Sequence, residues 1–199
     1  MGLAYAGIDF EIREVDLKHK PPEMLEASPT ATVPVLLREG LPVIDESLDI
    51  LLWCISQNDP TGWQDFSEKH LERLANLVDE NDDDFKVHLD HYKYSDRRPE
   101  HSREVYRKLG EDFLEKLESL LSESVFLGGG RVSYADVAIF PFIRQFSNVE
   151  PIWFKSAPYP RLREWLDHFL ESKLFNSIMT KYNPWKTTDP VCHFFPLQR

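Results

Sequence analysis

The chain is poor in cysteine, in long apolar runs and in positive charge. Its 2 cysteines, Cys54 and Cys192, make no disulfide framework in 199 residues. Cys54 lies beside Trp53 and Ile55, the setting of an inert core thiol rather than a nucleophile. No apolar run reaches the roughly 20 residues that cross a bilayer, and no basic-then-apolar leader is read at the start. With 34 acidic against 23 basic residues the formal net charge is −11. That balance argues against nucleic acid and against an anionic membrane surface as partners. Gly128-Gly129-Gly130 precedes Arg131-Val132-Ser133 and not Gly-Lys-Ser, so no nucleotide cradle is read there. Free thiols and the missing leader make a reducing cytoplasm the expected location.

What is present is a core-forming composition, 42% hydrophobic and 13% aromatic. The organising stretch runs from Thr32 to Ser56. Val33 to Leu37 is a β-branched and aliphatic run that predicts a buried strand, Arg38 to Pro42 a hairpin loop around Gly40, and Val43-Ile44 the return strand. Leu48, Ile50, Leu51, Cys54 and Ile55 then carry helical spacing. Pro34 removes a ladder donor at a strand entry, where prolines are often cis. The backbone of Val33 would then face away from the sheet, open to an extended peptide. Glu46-Ser47 stands at the start of the next helix, where free N–H groups favour an anion. A plain hairpin followed by a Ser N-cap reads from the same residues.

Around this stretch, Met1 to Ala6 reads as the last turns of a helix stopped by Gly7. Ile8 to Leu17 alternates as a half-buried strand, and Pro21-Pro22 opens a short turn of helix that closes at Ser28-Pro29. Ser56 to Gly62 is polar with Pro and Gly and reads as a linker. After it the pattern is helical: Gln64 to Tyr94, interrupted by Asp79 to Asp84; Glu104 to Leu121; Ser133 to Phe146, apolar on nearly every side; Arg161 to Phe169; and Lys173 to Thr180. A break holding Pro99 and an irregular end with Pro184, Pro190 and Pro196 complete the reading. Ser133 and Asp136 have capping-box spacing, so Asp136 reads as structural, and Pro141 is expected to kink its helix.

Val33-Pro34 followed by Glu46-Ser47 resembles the glutathione-binding half of a glutathione S-transferase. Lys18-His19-Lys20-Pro21 is similar to the Lys-x-Lys-Pro of the omega-like and related bacterial branch, and Ser133-Tyr134-Ala135-Asp136 is similar to the family's central-helix cap. The likeness spans nearly the whole chain. It implies an α+β then α fold: a truncated thioredoxin-like N-terminal domain, residues 1–56, followed by an all-α C-terminal domain, residues 63–199. It implies glutathione as co-substrate, a small electrophilic or disulfide second substrate, and a homodimer. By resemblance the Val33 main chain pairs with the cysteinyl backbone of glutathione, and Ser47 binds the γ-glutamyl carboxylate. Glu46 faces the ammonium group and Lys20 the glycine carboxylate.

The chain departs from the family at its start. A family member opens with a strand and a turn carrying the catalytic Tyr, Ser or Cys; no residue stands at that position here, so the catalytic residue is open. About 20 residues are lacking by this measure. Without that strand, Ile8–Leu17 and Val33–Leu37 are expected to show unpaired edges or to pair directly. The leading reading is a glutathione transferase or thiol exchanger; a non-catalytic binding protein that has lost its reaction group and a glutaredoxin-like redox carrier are the alternatives. His88 and His91 share a helix face without a third metal ligand of fitting spacing, and Asp79 to Asp84 lacks the glycine of a calcium loop, so no metal is expected. No Ser-His-Asp or Cys-His arrangement is read.

Overall fold

Gly7 sets the first corner: it takes φ 72°, and its N–H closes helix α1 (Gly2–Ala6). A glycine enters this left-handed region without the Cβ clash that others meet. The computed structural model describes residues 1–98 and 100–194, so Pro99 and Pro196 lie outside the described residues. Its described residues divide into two compact units, one of Met1–Thr61 with 173–194, the other Gly62–Ser172. The tail that the sequence reading carried with the helical domain therefore packs with the first unit.

In the first unit, α1 lies against α3 (Ser47–Gln57), burying Tyr5, Ala6, Leu51 and Cys54. The Tyr5 hydroxyl donates to Asp59 at 2.5 Å and accepts the Thr61 N–H at 2.9 Å, fastening α1 to the linker. Helix α2 (Pro22–Ala27) starts behind Pro21, with proline in its first turn, and stops at Ser28. The strand expected over Ile8–Leu17 shrinks to β1 (Phe10–Glu11), although half-buried Phe10 and Ile12 still alternate with exposed Asp9, Glu11 and Arg13. Its partner is β2 (His193–Phe194), antiparallel, with Phe10 opposite Phe194. The expected strands Val33–Leu37 and Val43–Ile44 reduce to one bridge, Leu36 with Ile44, with N–H···O distances of 2.7 and 3.1 Å. Pro34 and Pro42 flank this bridge and supply no N–H to lengthen it. The loop between turns at Gly40, φ 68°. Neither direct pairing of the two extended segments nor two wholly open edges results, because β2 takes up β1.

The second unit is helical. The long helix expected from Gln64 begins later, at α4 (Glu68–Glu80), passes through a π turn over Asn81–Phe85 and continues as α5 (Lys86–Lys93). The acidic run Asp82–Asp84 lies in the π turn and explains the break in apolar spacing. Ser102 caps α6 (Arg103–Glu123) by accepting the Val105 N–H at 3.3 Å. Then come α7 (Tyr134–Val149), which runs on through Pro141, α8 (Pro151–Ser156) and α9 (Pro160–Glu171). Helix α8 went unread because six residues are too few for a period to register. The expected Lys173–Thr180 helix is the shorter α10 (Lys173–Ser177), in the first unit. Phe85, Phe113, Tyr92 and Phe146 form the core, with ring centroids 4.7 to 5.5 Å apart. Gly110 of α6 faces Phe146, and a Cβ there would stand 2.6 Å from the ring.

The capping box of α7 is complete, and Asp136 does more than close it. Its carboxylate accepts from Ser133 N–H at 2.9 Å, Ser133 Oγ at 2.6 Å, Leu127 N–H at 2.8 Å, Gly128 N–H at 3.2 Å and Trp165 Nε1 at 2.8 Å. Burial pushes this carboxyl upward, and the donors oppose that push. Removing it would strand several buried donors at once. Asp136→Ala should therefore cost about 3–5 kcal/mol, read as a lower urea midpoint; a loss under about 1 kcal/mol would show the donors find water instead.

Candidate functional site

Backbone geometry at one loop sets the site. The peptide Val33–Pro34 is cis, and among the described residues no hydrogen bond engages the Val33 amide or carbonyl. The loop leading to it is held by Asp45, which accepts from Ser28 Oγ at 2.8 Å and Thr30 Oγ1 at 3.0 Å, with Thr32 Oγ1 3.0 Å from Thr30. Ser28 is fully buried. Ala31 in this loop has φ 53°, a strained value for a residue with a Cβ. Hydrogen bonds from Ser28 and Thr30 hold the Asp45 carboxyl below its ordinary value. Asp45 is a positioning residue that the sequence reading passed over; its partners lie 15 and 17 positions away, beyond any local motif.

Val33, Pro34 and Ser47 line one cavity of about 990 Å³ in the first unit. Ser47 is the first residue of α3, behind Glu46 at the N-cap, and no side-chain cap closes that end. This differs from the Ser N-cap alternative, and leaves the first-turn N–H groups for another acceptor. Asp49 in the same turn opposes an anion there. Arg13, Trp53 and Trp185 also face the cavity, with the Arg13 guanidinium 4.5 Å over the Trp185 ring. Lys20 and Glu46 are not on its lining, so the structure brings together two of the four expected ligand contacts, Val33 and Ser47. In the second unit Tyr92 donates to Glu150 at 2.9 Å, and Arg107 stacks on Trp153 at 4.3 Å.

Thiol chemistry from Cys54 is excluded by its surroundings. It is fully buried between α1 and α3, and burial pushes it up to about 11. His88 lies 3.3 Å from Asp84, and His91 meets the edge of Tyr106. The chemistry the site offers is recognition: main-chain pairing at Val33 beside a helix N-terminus.

A unit with short pairing segments and a cis X-Pro loop, followed in sequence by a helical unit, defines a two-part protein of the thioredoxin-like and all-helical type. Residues 1–57 match the model of the glutathione S-transferase N-terminal domain, and residues 99–168 that of the C-terminal domain. A probable glutathione S-transferase GSTU1 of Oryza sativa subsp. indica is 31% identical over 166 residues, covering 75% of this chain and 68% of that protein. The probable glutathione S-transferase MSR-1 of Nicotiana plumbaginifolia is 28% identical over 160 residues, with the same coverages of 75% and 68%. The chain belongs to the glutathione S-transferase family. In fold it is similar to glutathione transferase URE2P6 of Phanerochaete chrysosporium, solved with oxidized glutathione (TM-score 0.74, 20% identity, 88% of this chain and 85% of that one).

Two outcomes are expected. The native protein should present Cys192 to a thiol reagent at pH 8 while Cys54 stays unlabelled until the chain is unfolded; labelling of both would contradict the buried thiol. Asp45 has a folded pKa below its unfolded 3.8, so its contribution is complete above that value and is lost as pH falls through the lower folded one. An Asp45→Asn variant should lose stability at neutral pH and show a flatter acid limb in urea titrations than the parent.

Proposed function

We propose that this protein binds glutathione and conjugates it to a small electrophile or exchanges it with a thiol or disulfide. The observation that carries this reading is the unengaged Val33 backbone, next to a cis proline, on the same cavity as the Ser47 end of α3. An extended tripeptide can pair its cysteinyl main chain with Val33, as a strand adds to an edge. Its γ-glutamyl carboxylate then meets the Ser47 hydroxyl and the N–H groups of the first turn. In this reading Glu46 takes the ammonium group and Lys20 the glycine carboxylate, both from beside the cavity. The volume suits the ligand, lying at the upper end of the roughly 300–1,000 Å³ typical of small-molecule sites.

The relative URE2P6 was solved with oxidized glutathione, which supports that ligand class. The Lys18–Pro21 string favours the omega-like branch, whereas GSTU1 and MSR-1 are plant proteins. A division at the polar linker, a cytoplasmic location and a homodimer belong to the same proposal.

Calorimetry tests it. Glutathione should bind, and Ser47→Ala should weaken that binding by about tenfold, the worth of one hydrogen bond to a charged group. Absence of any binding heat at millimolar glutathione would end the proposal.

A further inference from the structure

Backbone bounds the cavity of the first unit on two sides. Residues 8–15 line it without a gap, and so do residues 33–38. The face of a strand offers alternate residues, whereas its edge offers every one. The cavity therefore runs along an edge of each extended segment.

Hydrogen-bond register identifies those edges. The Ile12 N–H donates to the Cys192 carbonyl at 2.8 Å, the Glu14 carbonyl accepts from the Trp185 N–H at 2.9 Å, and Phe10 lies opposite Phe194. Phe10, Ile12 and Glu14 thus turn their main chain to the tail, and Glu11 and Arg13 turn theirs to the opposite edge. On the other segment the Leu36 N–H and carbonyl both pair with Ile44, so Val35 and Leu37 direct theirs away from the hairpin. Among the described residues no hydrogen bond reaches the main chain of Glu11, Arg13, Val35 or Leu37.

The dimensions match a strand. Five or six extended residues measure about 17–20 Å, with about 4.8 Å between strands and about 10 Å between packed layers, a volume of about 800–1,000 Å³. The cavity holds about 990 Å³, and Leu3 of α1, Met24 of α2 and Leu51 of α3 give its lining an apolar side. Charge narrows the chemistry further. Asp9, Glu11, Glu14 and Glu23 stand on the lining against Arg13 and Arg38. Glu23 accepts from Thr187 through Oε1 at 2.9 Å, while its Oε2 is buried with no donor on it among the described residues. A basic side chain answers this acidic excess.

We propose that the cavity accepts a β-strand donated by another polypeptide. The donor is an extended apolar segment of about five or six residues carrying one lysine or arginine. It pairs on one side with Glu11 and Arg13 and on the other with Val35 and Leu37. Held on both edges, it is gripped through its main chain, and its basic residue fixes the register by meeting Glu23. Val33 and Ser47 take no part in this pairing, so it does not rest on the glutathione reading.

The probe is the peptide acetyl-Thr-Val-Lys-Val-Thr-Val-amide, titrated into the full chain. Binding is followed by tryptophan fluorescence, since Trp53 and Trp185 line the cavity, and by amide hydrogen exchange. Saturation should slow exchange at Glu11, Arg13, Val35 and Leu37 at least tenfold. The same peptide N-methylated at alternate residues loses its donors to one edge and should bind about a hundredfold more weakly. Glu23→Gln should weaken binding about fivefold, and should leave unchanged the binding of a peptide with threonine in place of the lysine. Protection along one edge alone, undiminished binding of the methylated peptide, or no binding at millimolar peptide would overturn the proposal. So would protection of the same four amides by self-association of the chain without peptide, which would make a second copy the occupant. Calorimetry with glutathione judges the Val33–Ser47 site separately, whatever the peptide does.

Discussion

Each buried N–H and C=O of this chain must find a partner, and much of the structure follows from where partners run short. In the helical unit the shortage falls at the start of α7, and one carboxylate answers it. Asp136 gathers donors from the cap, from the Leu127–Gly128 loop and from Trp165 of α9, so three parts of the unit meet at one side chain. In the first unit the carboxylate of Asp45 ties a single loop, through Ser28 and Thr30. Prolines at 34 and 42 cut the hairpin to a single bridge, and among the described residues β1 has the two residues of β2 for a ladder. At Val33 that lack leaves a backbone edge that no hydrogen bond engages among the described residues.

The same shortage explains why the candidate site is formed by backbone and loop rather than by a cluster of reactive side chains. Asp45 holds the Ser28–Thr32 loop, the loop presents Val33, and the uncapped end of α3 lies on the same cavity. Recognition of this sort discriminates by shape and by main-chain direction. Charge enters at the edges, where the local field is mixed: Arg13 faces the cavity but is paired with Glu11 at 2.7 Å, and Asp49 stands in the first turn of α3.

Helices were legible in the sequence wherever a stripe ran for three turns or more. The apolar periods of α6, α7 and α9 gave their extents to within a few residues, and Gly7 and Ser133 marked ends that the structure uses. The cis proline and the hairpin around Gly40 were legible for the same reason, since each depends on a residue and its immediate neighbours. Strands were overread. Alternation at Ile8–Leu17 predicts which residues are half-buried, and it does so here, but a ladder needs a partner that no local pattern names. The four ligand roles came from the resemblance; Val33 and Ser47 share one cavity lining, and Lys20 and Glu46 are not on it. Asp45 and the tail pairing escaped because both join residues far apart in the chain.

The π turn at Asn81–Phe85 carries one more consequence. Relative to an α-helix it holds an extra residue, and each residue of an α-helix advances the side chains by about 100°. Leu74, Leu77 and Val78 before it and Leu89 and Tyr92 after it are all buried, in spite of that phase slip. A shortened version of the chain, with one of the three aspartates 82–84 deleted, would form a smoother rod and yet swing Leu89 and Tyr92 out of the core. Length here is therefore fixed more strictly than composition: the acidic residues can be exchanged, but their number is part of the packing.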